Sequence, residues 1–112
     1  MKKLFLDDIR TVDMVYDKTM ISEFDVVRTY EEFVNYIEVN GLPEFISFDN
    51  DLGLANDGLV APDGLAAAKW LVYESGIDLQ HLKFKVHSAN PVASEQIKGL
   101  LNNYIKFLNK SV

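Results

Sequence analysis

The stretch that most constrains the fold is a short apolar run at residues 45–48, which ends directly in Asp49, Asn50, Asp51, Leu52 and Gly53. An apolar run of this length, bounded by turn residues, predicts a strand that is buried on both faces of a sheet. Open α/β sheets bind their ligands beyond the carboxyl ends of their strands. We therefore expect the two carboxylates to lie at a functional edge of the sheet.

Two further apolar runs end in polar residues in the same way. Residues 3–6 lead into Asp7 and Asp8, and residues 84–86 lead into a segment that contains His87, Ser88 and Asn90. The sequence therefore predicts that three strand ends bring acids, a histidine and a serine to one edge of the sheet.

Strand and helix signals alternate along the chain. The predicted strands cover residues 2–6, 24–28, 45–48 and 83–87. Each predicted helix begins at a capping residue. The first helix runs from Thr29, supported by Glu32, to Gly41, and the second runs from Asp63 to Gly76. The third begins at Asn90 and Pro91 and is expected to fray in a polar tail after Leu108. Residues 11–23 predict a short irregular helix, because the apolar spacing is helical but many of the residues are poor helix formers. Residues 52–63 predict a loop long enough to be functional.

This alternation predicts a doubly wound α/β domain with a parallel sheet of about four strands and right-handed crossovers. The strand order 2-1-3-4 would make strands 1 and 3 neighbours at the switch point. Asp7 and Asp8 would then lie beside Asp49.

The composition excludes several classes of function. The 112 residues suffice for a single domain spanning residues 1–112, and the net charge of −6 argues against general DNA or RNA binding, which needs a basic face. The absence of cysteine excludes a disulfide framework and a thiolate metal site. Because the first residues do not resemble a signal peptide and no run approaches membrane-spanning length, we expect a cytoplasmic protein that does not associate with membranes.

The acids predict a magnesium site. Asp7, Asp8 and Asp49 would supply the partial oxygen shell that Mg²⁺ (or Mn²⁺) takes in proteins, with water and a substrate phosphate completing it. Asp51 would be an outer or alternative ligand. Clustered carboxylates raise one another's pKa unless a cation neutralises them, so a bound metal or a shifted proton is expected.

The other polar residues predict phosphate chemistry. His87 can exchange a proton near neutral pH, Ser88 and the start of the last helix can hold a phosphate oxygen, and Arg10 can clamp the phosphate bidentately. The predicted catalytic residues are Asp49, His87 and Ser88, and the predicted phosphate-binding residues are Arg10, Ser88 and Asn90. The expected ligand is a small phosphorylated molecule.

Each motif also has a structural explanation. Two acids after a strand often form only a turn or a helix cap, His87 can be a satisfied structural histidine, and Asn90 can be a cap alone. The D-x-D-x-G spacing from Asp49 resembles a calcium loop, but later ligand positions fall on apolar residues and no helix precedes it, which excludes an EF-hand. The convergence of three polar strand ends favours a site.

Five blocks of the sequence resemble the cyclic-phosphate processing receiver-like domains found in bacteria and their phages. They are LFLDDIR at 4–10, VRTYEE at 27–32, ISFDNDLG at 46–53, Asp63-Gly64 before Lys69-Trp70-Leu71, and VHSANP at 86–91. The resemblance covers almost the whole chain. It implies a truncated response-regulator receiver fold, flavodoxin-like and without the fifth strand, and a role in processing cyclic phosphate groups.

The resemblance also assigns positions. It implies that Asp49 is the phosphoacceptor position, that Asp7 and Asp8 are the metal-binding acids, and that Ser88 is the switch hydroxyl. The family's usual block is D-H-D-L-G, and Asn50 stands here where the histidine is usual. A second acid or base is therefore absent at that position.

Three functions follow from these observations as hypotheses. The first is a metal-assisted phosphoesterase that acts on a cyclic phosphate, with His87 protonating the leaving oxygen. The alternative is a non-catalytic module that binds a phosphate ligand or a protein partner. The third is an aspartyl-phosphate receiver, which is disfavoured because the lysine that signalling receivers carry after a fifth strand is not predicted.

Overall fold

The computed structural model describes residues 2–52 and 63–110, so residues 53–62 of the predicted loop lie outside the described residues. The strands are β1 (Lys3–Leu6), β2 (Phe24–Val27), β3 (Phe45–Phe48) and β4 (Lys83–Val86). The α-helices are α1 (Tyr30–Asn40), α2 (Gly64–Tyr73) and α3 (Pro91–Lys110), and two 3₁₀ helices cover Val12–Met14 and Lys18–Glu23.

The four strands form one parallel sheet in the order β2-β1-β3-β4, which confirms the predicted order. The hydrogen-bond ladder continues one residue beyond the strand ends. Asp7 N donates to Val27 O at 3.1 Å, Asp49 N donates to Leu6 O at 2.9 Å, and His87 N donates to Phe48 O at 2.9 Å. This ladder places Asp7, Asp49 and His87 in one row across the carboxyl edge of the sheet.

The helix caps follow the sequence signals. The Thr29 hydroxyl accepts from Glu32 N at 3.0 Å, and the Asp63 carboxylate accepts from Ala66 N at 2.9 Å. Gly41 takes a φ of +84°, a conformation that favours glycine, where α1 ends. The last helix continues two residues past Leu108, to Lys110, and residues 111–112 lie outside the described residues.

The main core lies between one face of the sheet and the three α-helices, and we call this the helix-covered face. Its sheet residues include Leu4, Leu6, Ile46 and Phe48, and its helix residues include Phe33, Ile37, Ala67, Leu71, Ile97 and Leu101. Side chains alternate along a strand, so these even-numbered β1 and β3 residues point to the same side. Burial of this apolar surface is the main contribution to folding.

The other side, which we call the opposite face, carries a smaller core of Phe5, Val12 and Phe24 with Tyr16 and Phe45 packed against it. Its cover is the connection from β1 to β2, which contains the two 3₁₀ helices. The irregular helix predicted for residues 11–23 is thus confirmed in this form, and poor helix formers such as Thr11 and Asp17 explain why it is not a regular α-helix. Within the described ranges, no helix combines the length and apolar character needed to cross a membrane.

Candidate functional site

Three carboxylates meet at the carboxyl edge of the sheet. Asp7, Asp8 and Asp49 each offer an oxygen atom, and these atoms all lie within 4.8 Å of one another. Asp7 is fully buried and Asp49 is 6% exposed, whereas Asp8 is half-buried. Asp51 is exposed and is not a member of this group, and its carboxylate accepts a hydrogen bond from Asn50 Nδ2 at 3.3 Å.

Asp7 is held by donors on both of its oxygens. Oδ1 accepts from the backbone N–H groups of Ile9 at 3.0 Å and Arg10 at 2.9 Å, and Oδ2 lies 3.0 Å from His87 Nε2. Burial acts to raise the pKa of Asp7, but the hydrogen bonds from Arg10, Ile9 and His87 together lower this pKa below its ordinary value. Asp7 is therefore an ionised, acceptor-only carboxylate at neutral pH.

Asp49 lies in a less favourable environment for negative charge. Burial, followed by the neighbouring charge of Asp7, raises the pKa of Asp49 to about 6, although the backbone N–H of Asn50 and the Arg10 guanidinium act to lower it. Asn50 N donates to Asp49 Oδ1 at 2.9 Å. The two neighbouring acids thus have pKa values shifted in opposite directions, a pattern typical of sites that handle protons or cations.

Arg10 brings positive charge to the acids. Its Nη1 lies 3.5 Å from Asp7 Oδ2 and 3.8 Å from Asp49 Oδ1, and it donates to the backbone oxygen of His87 at 3.4 Å. The Arg10 side chain is 33% exposed, so part of its guanidinium remains accessible to a ligand. A guanidinium in this position can bind a phosphate oxygen while it screens the repulsion between the acids.

A second arginine, Arg28, fixes the backbone of this loop. Its Nη1 donates to the backbone oxygens of Asp7 at 3.0 Å and Arg10 at 2.6 Å. Sequence reasoning missed this residue as part of the site. Its position immediately after β2, the neighbour of β1, is the signal that could have identified it.

His87 uses both ring nitrogens inside the protein. Nε2 lies 3.0 Å from Asp7 Oδ2 and Nδ1 lies 2.6 Å from Ser47 Oγ, while the ring stacks on Phe5 with centroids 4.7 Å apart. The side chain is 6% exposed, and burial lowers the pKa of His87 although Asp7 acts to raise it. Donation of a proton to a leaving oxygen, the role predicted from the sequence, would require His87 to give up one of these hydrogen bonds.

The segment after β4 forms the start of α3. Asn90 Oδ1 accepts from Ala93 N at 3.1 Å, so Asn90 caps the helix as its sequence signal predicts. Ser88 Oγ accepts from Asn90 N at 3.1 Å. A serine hydroxyl that accepts can still donate its own proton, so Ser88 retains the capacity to bind a phosphate oxygen. The phosphate-binding roles of Ser88 and Asn90 stay predictions.

Asn50 joins the end of β3 to the start of α2. Its side-chain oxygen accepts from Leu65 N at 3.1 Å, and its backbone oxygen accepts from Gly64 N at 2.8 Å. A Cβ atom at Gly64 would overlap the carbonyl oxygen of Asp49, so this close approach requires glycine. The residue that replaces the usual histidine is thus only 6% exposed and bound to a helix terminus.

Comparison with known proteins agrees with this architecture. The family model described as the cyclic-phosphate processing receiver domain matches residues 2–103. A solved structure, a fusion that contains amino acids 181–211 of the yeast Spc42 trimeric coiled coil, superposes with a TM-score of 0.57 at 18% sequence identity, covering 88% of this chain and 60% of that chain. This likeness bears on the fold alone. No curated protein matches the chain significantly.

Proposed function

The chain belongs to the family of cyclic-phosphate processing receiver domains, and we propose that it is a metal-assisted phosphoesterase that hydrolyses a cyclic phosphate of the nucleotide or RNA-end type. The observation that carries this proposal is the group of Asp7, Asp8 and Asp49, whose oxygens lie within 4.8 Å of one another. The guanidinium of Arg10 beside two of these acids supports it.

The donor set fits a hard divalent cation. Asp7, Asp8 and Asp49 offer carboxylate oxygens alone, the ligand type that Mg²⁺ and Mn²⁺ prefer. Burial, followed by the negative charge of Asp7, raises the pKa of Asp49 to about 6, and a bound cation would oppose both effects. When bound at such a site, Mg²⁺ polarises a phosphoryl oxygen and lowers the pKa of a coordinated water.

The surrounding residues supply orientation. In this proposal the Arg10 guanidinium, 3.5 Å from Asp7 Oδ2, binds one phosphate oxygen, and the Ser88 hydroxyl at the start of α3 binds another. We assign His87 to holding Asp7 through their 3.0 Å contact, because both of its ring nitrogens are already engaged. Proton donation by His87 to the leaving oxygen stays a prediction.

The test is hydrolysis of 2′,3′-cyclic nucleotides, 3′,5′-cyclic nucleotides and oligonucleotides with a terminal 2′,3′-cyclic phosphate, each with Mg²⁺ or Mn²⁺. We expect turnover that depends on the metal. Asp49→Asn should reduce it by about 100-fold or more, because even the loss of an outer-shell partner of a metal ligand costs about 10–100-fold. Asp78→Asn is the matched control, because Asp78 is an exposed acid outside the acid group whose carboxylate accepts from Gln80 N at 2.9 Å. Absence of turnover in a protein shown by calorimetry to bind the metal would reject the phosphoesterase.

A second candidate is a module that binds a phosphate ligand without chemistry. Asn50 favours it, because it occupies the position of the family's usual histidine and its side chain is bound to Leu65 N. This candidate predicts that a cyclic phosphate stabilises the protein against heat and is recovered unchanged after prolonged incubation with metal. Hydrolysis of that same ligand would exclude it.

A further inference from the structure

A chain of hydrogen bonds runs from the opposite face of the sheet into the acid group. Tyr16 OH lies 2.8 Å from Ser47 Oγ, Ser47 Oγ lies 2.6 Å from His87 Nδ1, and His87 Nε2 lies 3.0 Å from Asp7 Oδ2. Ser47 and Asp7 are fully buried. The chain therefore links three residues outside the acid group to one predicted metal ligand.

The chemistry of each group fixes the direction of every donor. The Asp7 carboxylate accepts from the backbone N–H groups of Ile9 and Arg10 and has the Arg10 guanidinium beside Oδ2, so it acts as an acceptor and His87 Nε2 carries the proton that is donated to it. A neutral imidazole has a single N–H group, so Nδ1 must accept, and Ser47 must donate its one hydroxyl proton to Nδ1. Ser47 Oγ is then left as an acceptor for the phenolic proton of Tyr16.

Packing contacts hold the members of this chain in place. The His87 ring lies flat on Phe5, with an angle of 6° between the planes, and the Tyr16 ring stacks on Phe24 with centroids 5.3 Å apart. These aromatic contacts keep Tyr16 and His87 on either side of Ser47. The polar chain is thus supported by the same small core that closes the opposite face.

Ser47 is the feature that general packing does not explain. It is the polar member of the strand Phe45–Phe48 and is 0% exposed. Burying a hydroxyl without hydrogen-bond partners is unfavourable, whereas alanine or valine would fill a buried strand position without that cost. The hydrogen bonds to Tyr16 and His87 offset the cost, which indicates that the hydroxyl is present for the contact with His87.

We propose that Tyr16 and Ser47 are positioning residues that hold His87 in the Nε2–H tautomer and thereby fix the orientation of the Asp7 carboxylate. Three hydrogen-bond donors then contact Asp7, two on Oδ1 and one on Oδ2. The other lone pair of Oδ2 remains for Arg10 Nη1, which lies 3.5 Å away, or for a cation bound between the acids. Outer-shell residues that orient a metal ligand commonly influence how tightly the site binds the metal. The consequence for metal binding rests on the proposed function, whereas the tautomer does not.

The metal-free test is ¹⁵N NMR of the His87 ring in the full chain under conditions that keep the imidazole neutral. We expect the Nε2–H tautomer, with an Nε2–H proton that exchanges slowly with water. Ser47→Ala should accelerate that exchange at least tenfold and displace the Nδ1 resonance towards the value of an unbonded nitrogen. Ser47→Thr, which keeps the hydroxyl, should restore both readouts, and this rescue separates positioning from a general loss of packing.

Tyr16→Phe should accelerate the exchange less than Ser47→Ala, because the donor to Nδ1 is retained. Tyr36→Phe is its matched control, since Tyr36 OH donates to Asp25 at 2.7 Å, away from His87. An Nδ1–H tautomer in the wild type would overturn the inference. Unchanged exchange of the Nε2–H proton in both Ser47→Ala and Tyr16→Phe would overturn it equally.

Mg²⁺ binding measured by calorimetry tests the consequence for the site. We expect Ser47→Ala to weaken Mg²⁺ binding about tenfold, the lower end of the loss seen when outer-shell partners of a metal ligand are removed. Unchanged affinity in Ser47→Ala would overturn the positioning role. If the wild type binds no Mg²⁺ but keeps the slowly exchanging Nε2–H proton, the proposed function fails and the tautomer inference is supported.

Discussion

The two faces of the sheet are built on different principles. On the helix-covered face, Leu6 and Phe48 are fully buried beneath three α-helices in an apolar core. On the opposite face, two 3₁₀ helices cover a small core that contains Phe5. Phe5 pairs in register with the buried Ser47, and Ser47 pairs with the exposed Lys85. One face is continuous hydrophobic packing, and the other alternates aromatic packing with hydrogen bonds that lead to the acids.

This difference separates stability from function within one small domain. Apolar burial is non-directional and stabilises the fold whichever way the side chains interlock in detail. Hydrogen bonds are directional, so the chain through Ser47 and His87 orients Asp7 in a way that apolar contacts could not. We therefore expect changes on the helix-covered face to lower stability, and changes on the opposite face to alter the site.

The largest expected effect is the difference in stability loss between a substitution in the main core and one in the smaller core. Phe33→Ala, on the helix-covered face, should lower the free energy of unfolding by about 3–5 kcal/mol, because Phe33 is fully buried against Phe48 and Trp70. Phe24→Ala, in the smaller core, should cost less, because a short 3₁₀ cover can collapse into the space. Chemical denaturation of both variants measures the difference. Equal losses would show that the two faces contribute alike.

The next effect concerns the junction of β3 and α2. Gly64→Ala should destabilise the protein at the upper end of about 1–3 kcal/mol, since the new Cβ overlaps the Asp49 carbonyl, and it should also weaken Mg²⁺ binding by displacing Asp49. Gly99→Ala is the control, because nothing lies within 4 Å of its Cβ position and alanine favours α3 by about 0.5–1 kcal/mol. Denaturation should show opposite changes in stability for the two variants, and calorimetry should show weaker Mg²⁺ binding for Gly64→Ala but not for Gly99→Ala. A neutral Gly64→Ala would contradict the close approach.

The smallest expected effect is an increase in stability rather than a loss. The pKa of Asp49 is raised from 3.8 to about 6 in the metal-free fold, so its stabilising contribution is present below about pH 4 and is lost as pH rises through about 6. Asp49→Asn should remove this pH dependence and raise metal-free stability at neutral pH by roughly 1–2 kcal/mol, while it weakens the stabilisation by Mg²⁺. Thermal and chemical denaturation across this pH range, with and without Mg²⁺, measure both effects.

Asp7 provides the contrast for that experiment. Its pKa is lowered from 3.8, so its contribution is present above that pH and is lost as pH falls through the lower folded value. Asp7→Asn should therefore destabilise the protein at neutral pH. If both asparagine variants changed metal-free stability in the same direction, the different environments assigned to the two acids would be wrong.

Much of the fold could be predicted because its signals are local. The apolar runs define the strands, and the Thr29, Asp63 and Asn90 caps define where the helices begin. The alternation of strands and helices predicted a doubly wound sheet, and the order 2-1-3-4 expected for such a sheet is the order observed. The convergence of Asp7, Asp8 and Asp49 followed in turn, because parallel strands end at the same edge.

The support of the site could not be predicted in this way. Arg28 binds the backbone of the loop at residues 7–10 from the end of a neighbouring strand, and Asn50 binds the start of a helix rather than facing a ligand. Both contacts depend on how far two elements approach each other. Residue type alone gives no such distance. The position of Arg28 after β2 indicates that it lies near the loop but not which backbone oxygens it binds, and Asn50 carries no local signal of its role.

The sequence by itself determined which residues reach the carboxyl edge of the sheet, because periodicity and strand order decide that placement. Only the tertiary structure decided what those residues do there. His87 contacts Ser47 and Asp7 across 40 and 80 residues of sequence, and Tyr16 contacts Ser47 across 31. The physical reason is that a hydrogen bond requires donor and acceptor within about 3 Å and correctly aligned, and packing of the complete chain sets that geometry.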